Sequence, residues 1–193
     1  MGNATGITGL ILAGGKSTRM GGRDKAALRL NGRPMIEWVI DRLRPQVDTL
    51  LINSNSLAQS DFSYPIIADS ITGHRGPLAG LHAAMACAKT PLLACVPCDA
   101  PLLPFDLVER VRMALADADI AVAKTPSSLQ PAFLLCRATL RPSIEAYLAE
   151  GKYALRHWMV RHHCVEVEFS DEAAFSNINT PEEVLSVMPK LML

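Results

Sequence analysis

Short apolar runs rich in Leu, Ile and Val alternate along this chain with longer segments of helical period, and that alternation constrains the fold more than any other feature. Strands buried on both faces read as near-continuous apolar runs, and strands that alternate with helices build parallel sheets. The runs at 9–13, 49–53, 65–68, 92–96, 120–123, 132–136 and 164–168 are the candidate strands. Helical period marks 34–45, 77–89, 105–116, 139–150, 153–162 and 181–187. In the first of these, Pro34 suits an opening turn, Ile36, Val39, Ile40 and Leu43 share one face, and Pro45 ends the pattern. In the last, Thr180 precedes Pro181 and Glu183 follows three residues on, which is a capping box. The expected architecture is a three-layer α/β sandwich, a mostly parallel sheet with helices on both faces.

The 193 residues, 49% of them hydrophobic, suffice for one well-buried core and are too few for two ordinary domains, so a single domain over 1–193 is expected. Lys plus Arg and Asp plus Glu number 19 each, which leaves no broad basic field for nucleic acid or an anionic membrane. Any anionic ligand must therefore meet a local cluster of charge. Met1 to Thr8 lack the basic start and apolar run of a signal peptide, and nowhere do eighteen apolar residues run together, so a cytoplasmic address is expected. The odd cysteine count, Cys87, Cys95, Cys98, Cys136 and Cys164, reads as reduced, buried thiols. Cys95 and Cys98 have redox or zinc spacing, but no second pair accompanies them and they end a strand-like run instead of opening a helix.

The least regular stretches are 14–24 and 69–76, and long loops in compact folds are often where ligands sit. The first follows the first strand. Leu12-Ala-Gly-Gly-Lys-Ser-Thr-Arg-Met-Gly-Gly-Arg-Asp-Lys25 holds four glycines, two lysines and two arginines in fourteen residues. Glycines let main-chain N–H groups approach an anion, and Arg19 and Lys25 supply charge, so the loop suits phosphate. It is not a Walker A loop, because the glycine needed five places before Gly15 is Leu10. It also lacks the Gly-x-Gly-x-x-Gly of a dinucleotide fold, which argues against a dehydrogenase. Asp99 follows the strand at 92–96, where an open α/β sheet presents its ligand crevice, and a carboxylate there suits magnesium.

At these residues the chain resembles the molybdenum cofactor guanylyltransferases. The Leu-Ala-Gly-Gly form of the first loop is similar to that family's nucleotide-binding signature. Gly76-Pro-Leu-Ala-Gly80, Pro97-Cys-Asp-Ala-Pro101 and Asn177-Ile-Asn-Thr-Pro-Glu182 resemble its later motifs in order and spacing. The resemblance spans Leu10 to about Val187 and implies a Rossmann-like sandwich of the nucleotide-diphospho-sugar transferase type. It implies Mg²⁺ on Asp99, and nucleotide contacts at Leu12, Ala13, Gly14, Gly15, Lys25, Asn53, Asp69 and Asp99. On residue type alone, Asn53 and Asp69 are equally well read as turn formers at strand ends. Arg19, Lys25 and Asp99 are the expected catalytic residues. Asn177 and Asn179 are candidates to reach the site, and Gln130-Pro131 stands where some relatives carry His-Pro. Lys152, Arg156, Arg161, His162 and His163 read first as a solvated helix face and second as an anion site, while His74 and Arg75 have a better claim beside Gly76.

The activity so implied joins the terminal phosphate of molybdopterin, or its molybdenum-bound form, to the α-phosphorus of GTP, and pyrophosphate leaves. A phosphate monoester is largely dianionic near neutral pH, its second pKa being about 6, so no general base is required. Partners would be GTP, the pterin and transient contacts with proteins that deliver or accept the cofactor, with no nucleic acid and no membrane. Rival readings are cytidylyl transfer to the same cofactor, nucleotidyl transfer to a sugar phosphate, and a non-catalytic nucleotide-binding protein. Gly14-Gly15 and Pro97-Cys98-Asp99 favour guanylyl over cytidylyl transfer, and Arg19, Lys25 and Asp99 together speak against a mere binder.

Overall fold

A computed structural model describes residues 6–14, 28–55, 63–71, 76–178 and 180–192. Its strands are β1 (Ile7–Leu12), β2 (Arg29–Leu30), β3 (Arg33–Pro34), β4 (Thr49–Asn53), β5 (Ile66–Ile67), β6 (Leu92–Pro97), β7 (Ile120–Lys124), β8 (Leu129–Arg137) and β9 (Cys164–Glu168). Its α-helices are α1 (Met35–Leu43), α2 (Pro77–Cys87), α3 (Leu107–Leu115), α4 (Arg141–Ala149), α5 (Leu155–Met159) and α6 (Pro181–Val187). Seven strands form one sheet in the order β5-β4-β1-β6-β8-β7-β9. All are parallel except β8, which runs antiparallel to both β6 and β7. The exception has a simple cause: only residues 125–128 join β7 to β8, too few for the crossover that a parallel pair needs.

The alternation of side chains along each strand divides the core into two layers. Ile7 and Ile11 of β1 face α1 and α3, with Val39, Leu43, Val108 and Val111 in the same buried cluster. Leu10 faces the other way, toward α2, α4 and α5, with Leu81, Met85, Tyr147 and Trp158. Helices therefore cover both faces, as the sequence predicts. Apart from His82, α2 is apolar all round, and Leu78 through Met85 are all buried, which is the pattern of a helix covered on more than one side. A smaller cluster, Leu30, Met35, Leu102, Ile178 and Val187, seats α6 against the β2–β3 hairpin.

Several bounds differ from the sequence reading. The hairpin turns at Asn31 and Gly32, both at positive φ, and delays α1 to Met35. The segment at 153–162 shortens to α5, and 139–150 opens with a 3₁₀ turn at Ala138–Leu140. Cys95, Cys98 and Cys136 are buried free thiols, but Cys87 is exposed and Cys164 half-buried, so burial is not general. Burial raises the Cys95 and Cys136 thiols well above their ordinary range and takes Cys164 to about 11, so these three carry no thiolate near neutral pH. No helix among the described residues is long and apolar enough to cross a membrane.

Candidate active site

From β1 the chain passes to β4 and β5 on one side, then returns to β6 on the other side of β1. The crevice beyond the carboxyl ends of β1 and β6 is thus a topological switch point, where open α/β sheets bind ligands. Leu12 pairs with both Asn53 and Pro97, so β1, β4 and β6 end level. Two main-chain bonds extend the stitching past the strands: Ala13 N–H donates to the Asn53 carbonyl at 2.8 Å, and Cys98 N–H to the Leu12 carbonyl at 3.0 Å. Gly14 follows, exposed, where the chain enters the glycine-rich loop. Gly15, Arg19 and Lys25 lie outside the described residues.

Asp99 follows two residues after β6 and is half-buried, with its Oδ1 buried. Ile178 N–H donates to the Asp99 carbonyl at 2.8 Å, which fixes the segment before α6 beside Asp99. Exposed Asn177 is thereby brought to the same end of the sheet, while Asn179 lies outside the described residues. The predicted capping box forms: Thr180 Oγ1 accepts from Glu183 N–H and Glu183 accepts from Thr180 N–H, which sets where this segment stops and α6 begins. Among the described residues no group of three or more His, Cys, Asp or Glu could hold a metal. One carboxylate at a strand end fits Mg²⁺, which usually takes one or two protein carboxylates and fills its shell with water and phosphate oxygens.

Asn53 and Asp69, predicted from resemblance, are joined directly. Asn53 Nδ2 donates to Asp69 Oδ1 at 3.0 Å and to the Ile67 carbonyl at 3.2 Å. The sequence reading missed two neighbours. Asn55 donates through Nδ2 to Asp69 Oδ2 at 2.8 Å and accepts the Asp69 N–H at 2.9 Å. Gly80 of α2 approaches Asn53 so closely that a Cβ there would lie 2.2 Å from Asn53 Oδ1 and 2.7 Å from Leu12 Cδ2. Gly80 closes a motif quoted from the sequence, yet only the packing shows what its missing side chain makes room for. His82 pins the same loop from α2, its Nδ1 lying 2.8 Å from Ser70 Oγ. Burial, with a smaller contribution from Arg141 against an opposing one from Glu145, holds His82 below the usual histidine range.

The other sequence candidates are distributed elsewhere. Gln130 lies within β8 instead of before it, and its Nε2 donates to Thr125 Oγ1 at 3.2 Å and Ser128 Oγ at 3.1 Å, inside the β7–β8 turn. His162 and His163 lead into β9, which runs parallel to β1 through the intervening strands, so both sit at the end of the sheet opposite Leu12 and Asp99. There His162 Nε2 meets Ser143 Oγ at 2.8 Å. Arg161 and Lys152 share Glu150 and hold its carboxyl down to about 2, Arg161 contributing the larger part. Lys152, Arg161 and His162 lie outside α5, so the expected helix face does not form from them; each is bonded instead to Glu150 or Ser143. Arg156 is exposed, and His74 and Arg75 lie outside the described residues. A cavity of about 630 Å³ between Gln46, Phe105 and Met113 also adjoins Ile7, at the start of β1 and away from Asp99.

Residues 9–166 match the family model described as MobA-like NTP transferase domain. The chain belongs to that family. It is 46% identical over 182 residues to a molybdenum cofactor guanylyltransferase of Shewanella loihica, covering 92% of this chain and 93% of that one. It is also 46% identical to the protein of that name from Burkholderia ambifaria, covering 94% and 95%. Among solved structures, molybdopterin-guanine dinucleotide biosynthesis protein A from Archaeoglobus fulgidus aligns over 96% of this chain and 98% of its own with a TM-score of 0.79. At 21% identity that likeness speaks for the fold, a mostly parallel α/β sandwich.

Proposed function

We propose that this protein transfers GMP from GTP to the terminal phosphate of molybdopterin, or of its molybdenum-bound form, giving the guanine dinucleotide cofactor and pyrophosphate. The observation that carries the reading is the joining of Leu12, Asn53 and Cys98-Asp99 by main-chain bonds at the switch point, with the Asn177 segment tied to Asp99. Curated relatives bearing the guanylyltransferase name at 46% identity support the choice of substrates. In this reading the main chain at Leu12 to Gly14 meets the guanine edge, and Asn53 and Asp69 hold donors of the nucleoside. Asp99 would hold Mg²⁺, which supplies charge neutralisation across the triphosphate when bound. Arg19, Lys25 and the N–H groups of the glycine-rich loop, Gly15 among them, neutralise the departing pyrophosphate. The acceptor phosphate is already dianionic, so the protein's work is alignment and electrostatics instead of proton abstraction. His82 and His162, each bonded to a serine, are consistent with that division of labour. A cytoplasmic site of action and transient contact with proteins that carry the pterin complete the proposal.

The test is competition. Purified protein, molybdopterin and Mg²⁺ receive equimolar GTP and one rival NTP, and products are resolved by mass. A main-chain site shaped for guanine leaves polar groups unpaired against a pyrimidine, at about 1–3 kcal/mol each, so two give on the order of a hundredfold preference. Cytidylylated product equal to the guanylylated one would overturn the base assignment. No product from any NTP would overturn the activity.

A further inference from the structure

Asp69 is held in an unusual way for a half-exposed carboxylate: each oxygen accepts from a different side-chain amide. Asn53 Nδ2 takes Oδ1 at 3.0 Å and Asn55 Nδ2 takes Oδ2 at 2.8 Å. Asn55 also closes a ring by accepting the Asp69 N–H through Oδ1 at 2.9 Å. The Asn55 amide has a single workable orientation, because a main-chain N–H can only donate and a carboxylate can only accept. Asn53 is itself located by β4, by the Ile67 carbonyl and by the close pass of Gly80, so its grip on Asp69 comes from the fold. Asn55 stands past the last residue of β4 and is exposed. A bond made there in water adds little to folding, since solvent offers nearly the same partners. What it does add is a fixed rotation of the carboxylate plane. With one lone pair on each oxygen engaged, each oxygen keeps a second for another donor, and the two oxygens are held in one plane.

We propose that Asn55 is a positioning residue for nucleoside recognition: it locks the Asp69 carboxylate so that its remaining lone pairs receive two adjacent donors of the nucleotide. The inference rests on the nucleotidyl-transfer reading above. The donors are of one chemistry, paired N–H or O–H groups at carboxylate spacing. Guanine offers them at N1 and its 2-amino group, and ribose at its 2′ and 3′ hydroxyls. A carboxylate set in advance binds such a pair without losing rotational freedom at the moment of binding. Asn53 alone leaves the plane free to turn about the bond it holds.

The experiment uses the full chain and three ligands: GTP, inosine triphosphate, which lacks the 2-amino group, and 2′-deoxy-GTP, which lacks one hydroxyl. Dissociation constants come from calorimetry, and thermal midpoints are taken without nucleotide. Asn55→Ala is expected to weaken GTP about tenfold, the size of one misplaced charge-assisted hydrogen bond. Its midpoint should stay within about 2 °C of wild type. The weakening should shrink to about twofold for the analogue that lacks the donor in question, inosine triphosphate if the base is read and 2′-deoxy-GTP if the ribose is. The swap of Asn55→Asp with Asp69→Asn restores an amide facing a carboxylate but moves the charge. It should keep the midpoint within about 2 °C of wild type and leave GTP weak. GTP binding within about twofold of wild type in Asn55→Ala, or equal losses with all three ligands, overturns the proposal. Recovery of GTP affinity by the swap also overturns it, since Asn55 would then be only a loop tie. Failure of the guanylyl reading shows separately, in the wild-type protein: if that binds CTP in place of GTP, the same comparison is read with CTP and 2′-deoxy-CTP, and if it binds no NTP both readings fall.

Discussion

Gly80→Ala is the substitution that the packing argues against most strongly, although helix propensity argues for it. Gly80 is the fourth residue of α2 and is buried, and alanine at an interior helical position gains about 1 kcal/mol over glycine. Against that, the new methyl carbon would lie 2.2 Å from Asn53 Oδ1, 2.7 Å from Asn53 Cγ and 2.7 Å from Leu12 Cδ2. The end of Leu12 can turn aside. Asn53 cannot, because a shift of about 1 Å, needed to reach ordinary contact, takes its amide out of reach of Asp69 and of the Ile67 carbonyl. Overpacking of this kind costs about 1–3 kcal/mol, and the lost bond to a charged acceptor about 1.5–3. After the propensity gain the net loss is about 1.5–5 kcal/mol, or roughly 3–20 °C in Tm for a chain of this size. GTP affinity should fall at least about tenfold, since Asn53 and Asp69 are displaced together. Differential scanning fluorimetry and calorimetry with GTP check both figures. Adding Asn53→Ala to the variant should return part of the lost Tm and none of the affinity. A variant with a higher Tm and unchanged GTP affinity would refute the reasoning, and with it the view that α2 holds the nucleoside-binding side chains in place.

Asp99→Asn should abolish most turnover while leaving Tm within about 2 °C. More than about a tenth of the wild-type rate at saturating Mg²⁺, roughly 1.4 kcal/mol of barrier or less, would remove Asp99 as the main metal ligand. Lys25→Ala and Arg19→Ala should each lower kcat more than they raise the Kd for GTP, because charge on the leaving pyrophosphate grows in the transition state; unchanged kcat with weaker binding would reduce the loop to a holding site. Burial keeps His82 below its ordinary pKa, so the unfolded chain binds its proton first as pH falls, and stability is lost from about pH 6.5 downward toward the lowered folded value. His82→Gln should flatten part of that slope in urea unfolding between about pH 7.5 and 5, with the rest due in part to His162, which burial lowers in the same way; an unaltered slope would count against His82.

What the sequence discloses follows from the range over which each feature is determined. The apolar run at 92–96 and the helical faces of 34–45 and 105–116 are local patterns, and β6, α1 and α3 lie within a residue or two of them. The Thr180 and Glu183 box is local too, and forms as read. The reversed direction of β8 is not part of the sequence reading, although the eight residues between the runs at 120–123 and 132–136 are already too few for a crossover. The hairpin at Asn31-Gly32 carries the commonest two-residue turn signal, hidden by the stronger helical pattern that begins directly after it. Asn55 and Gly80 are of another kind. Asn55 meets Asp69 fourteen residues away, and Gly80 meets Asn53 and Leu12 only once α2 is laid across β1 and β4. No spacing within the chain encodes those meetings; they depend on the register that pairs Leu12 with Asn53.

The two halves of the proposed ligand ask different things of the fold, and the chain divides accordingly. Nucleoside groups are read by short hydrogen bonds, which weaken steeply with distance and angle, so the atoms that read them must be fixed by strands and helices. Asn53, Asp69 and the main chain at Leu12 and Ala13 are fixed in that way, by β4, β5 and the packing of α2. Phosphate is held by charge, which acts over several ångströms and tolerates more variation in position. Its expected partners, Arg19 and Lys25, belong to the glycine-rich stretch that follows β1 in the sequence. A chain whose charges balance at 19 of each sign can therefore bind a triphosphate without a basic surface. Its specificity would then reside in neutral amides and one carboxylate, and its driving force for phosphate in a few cations placed beyond the end of β1.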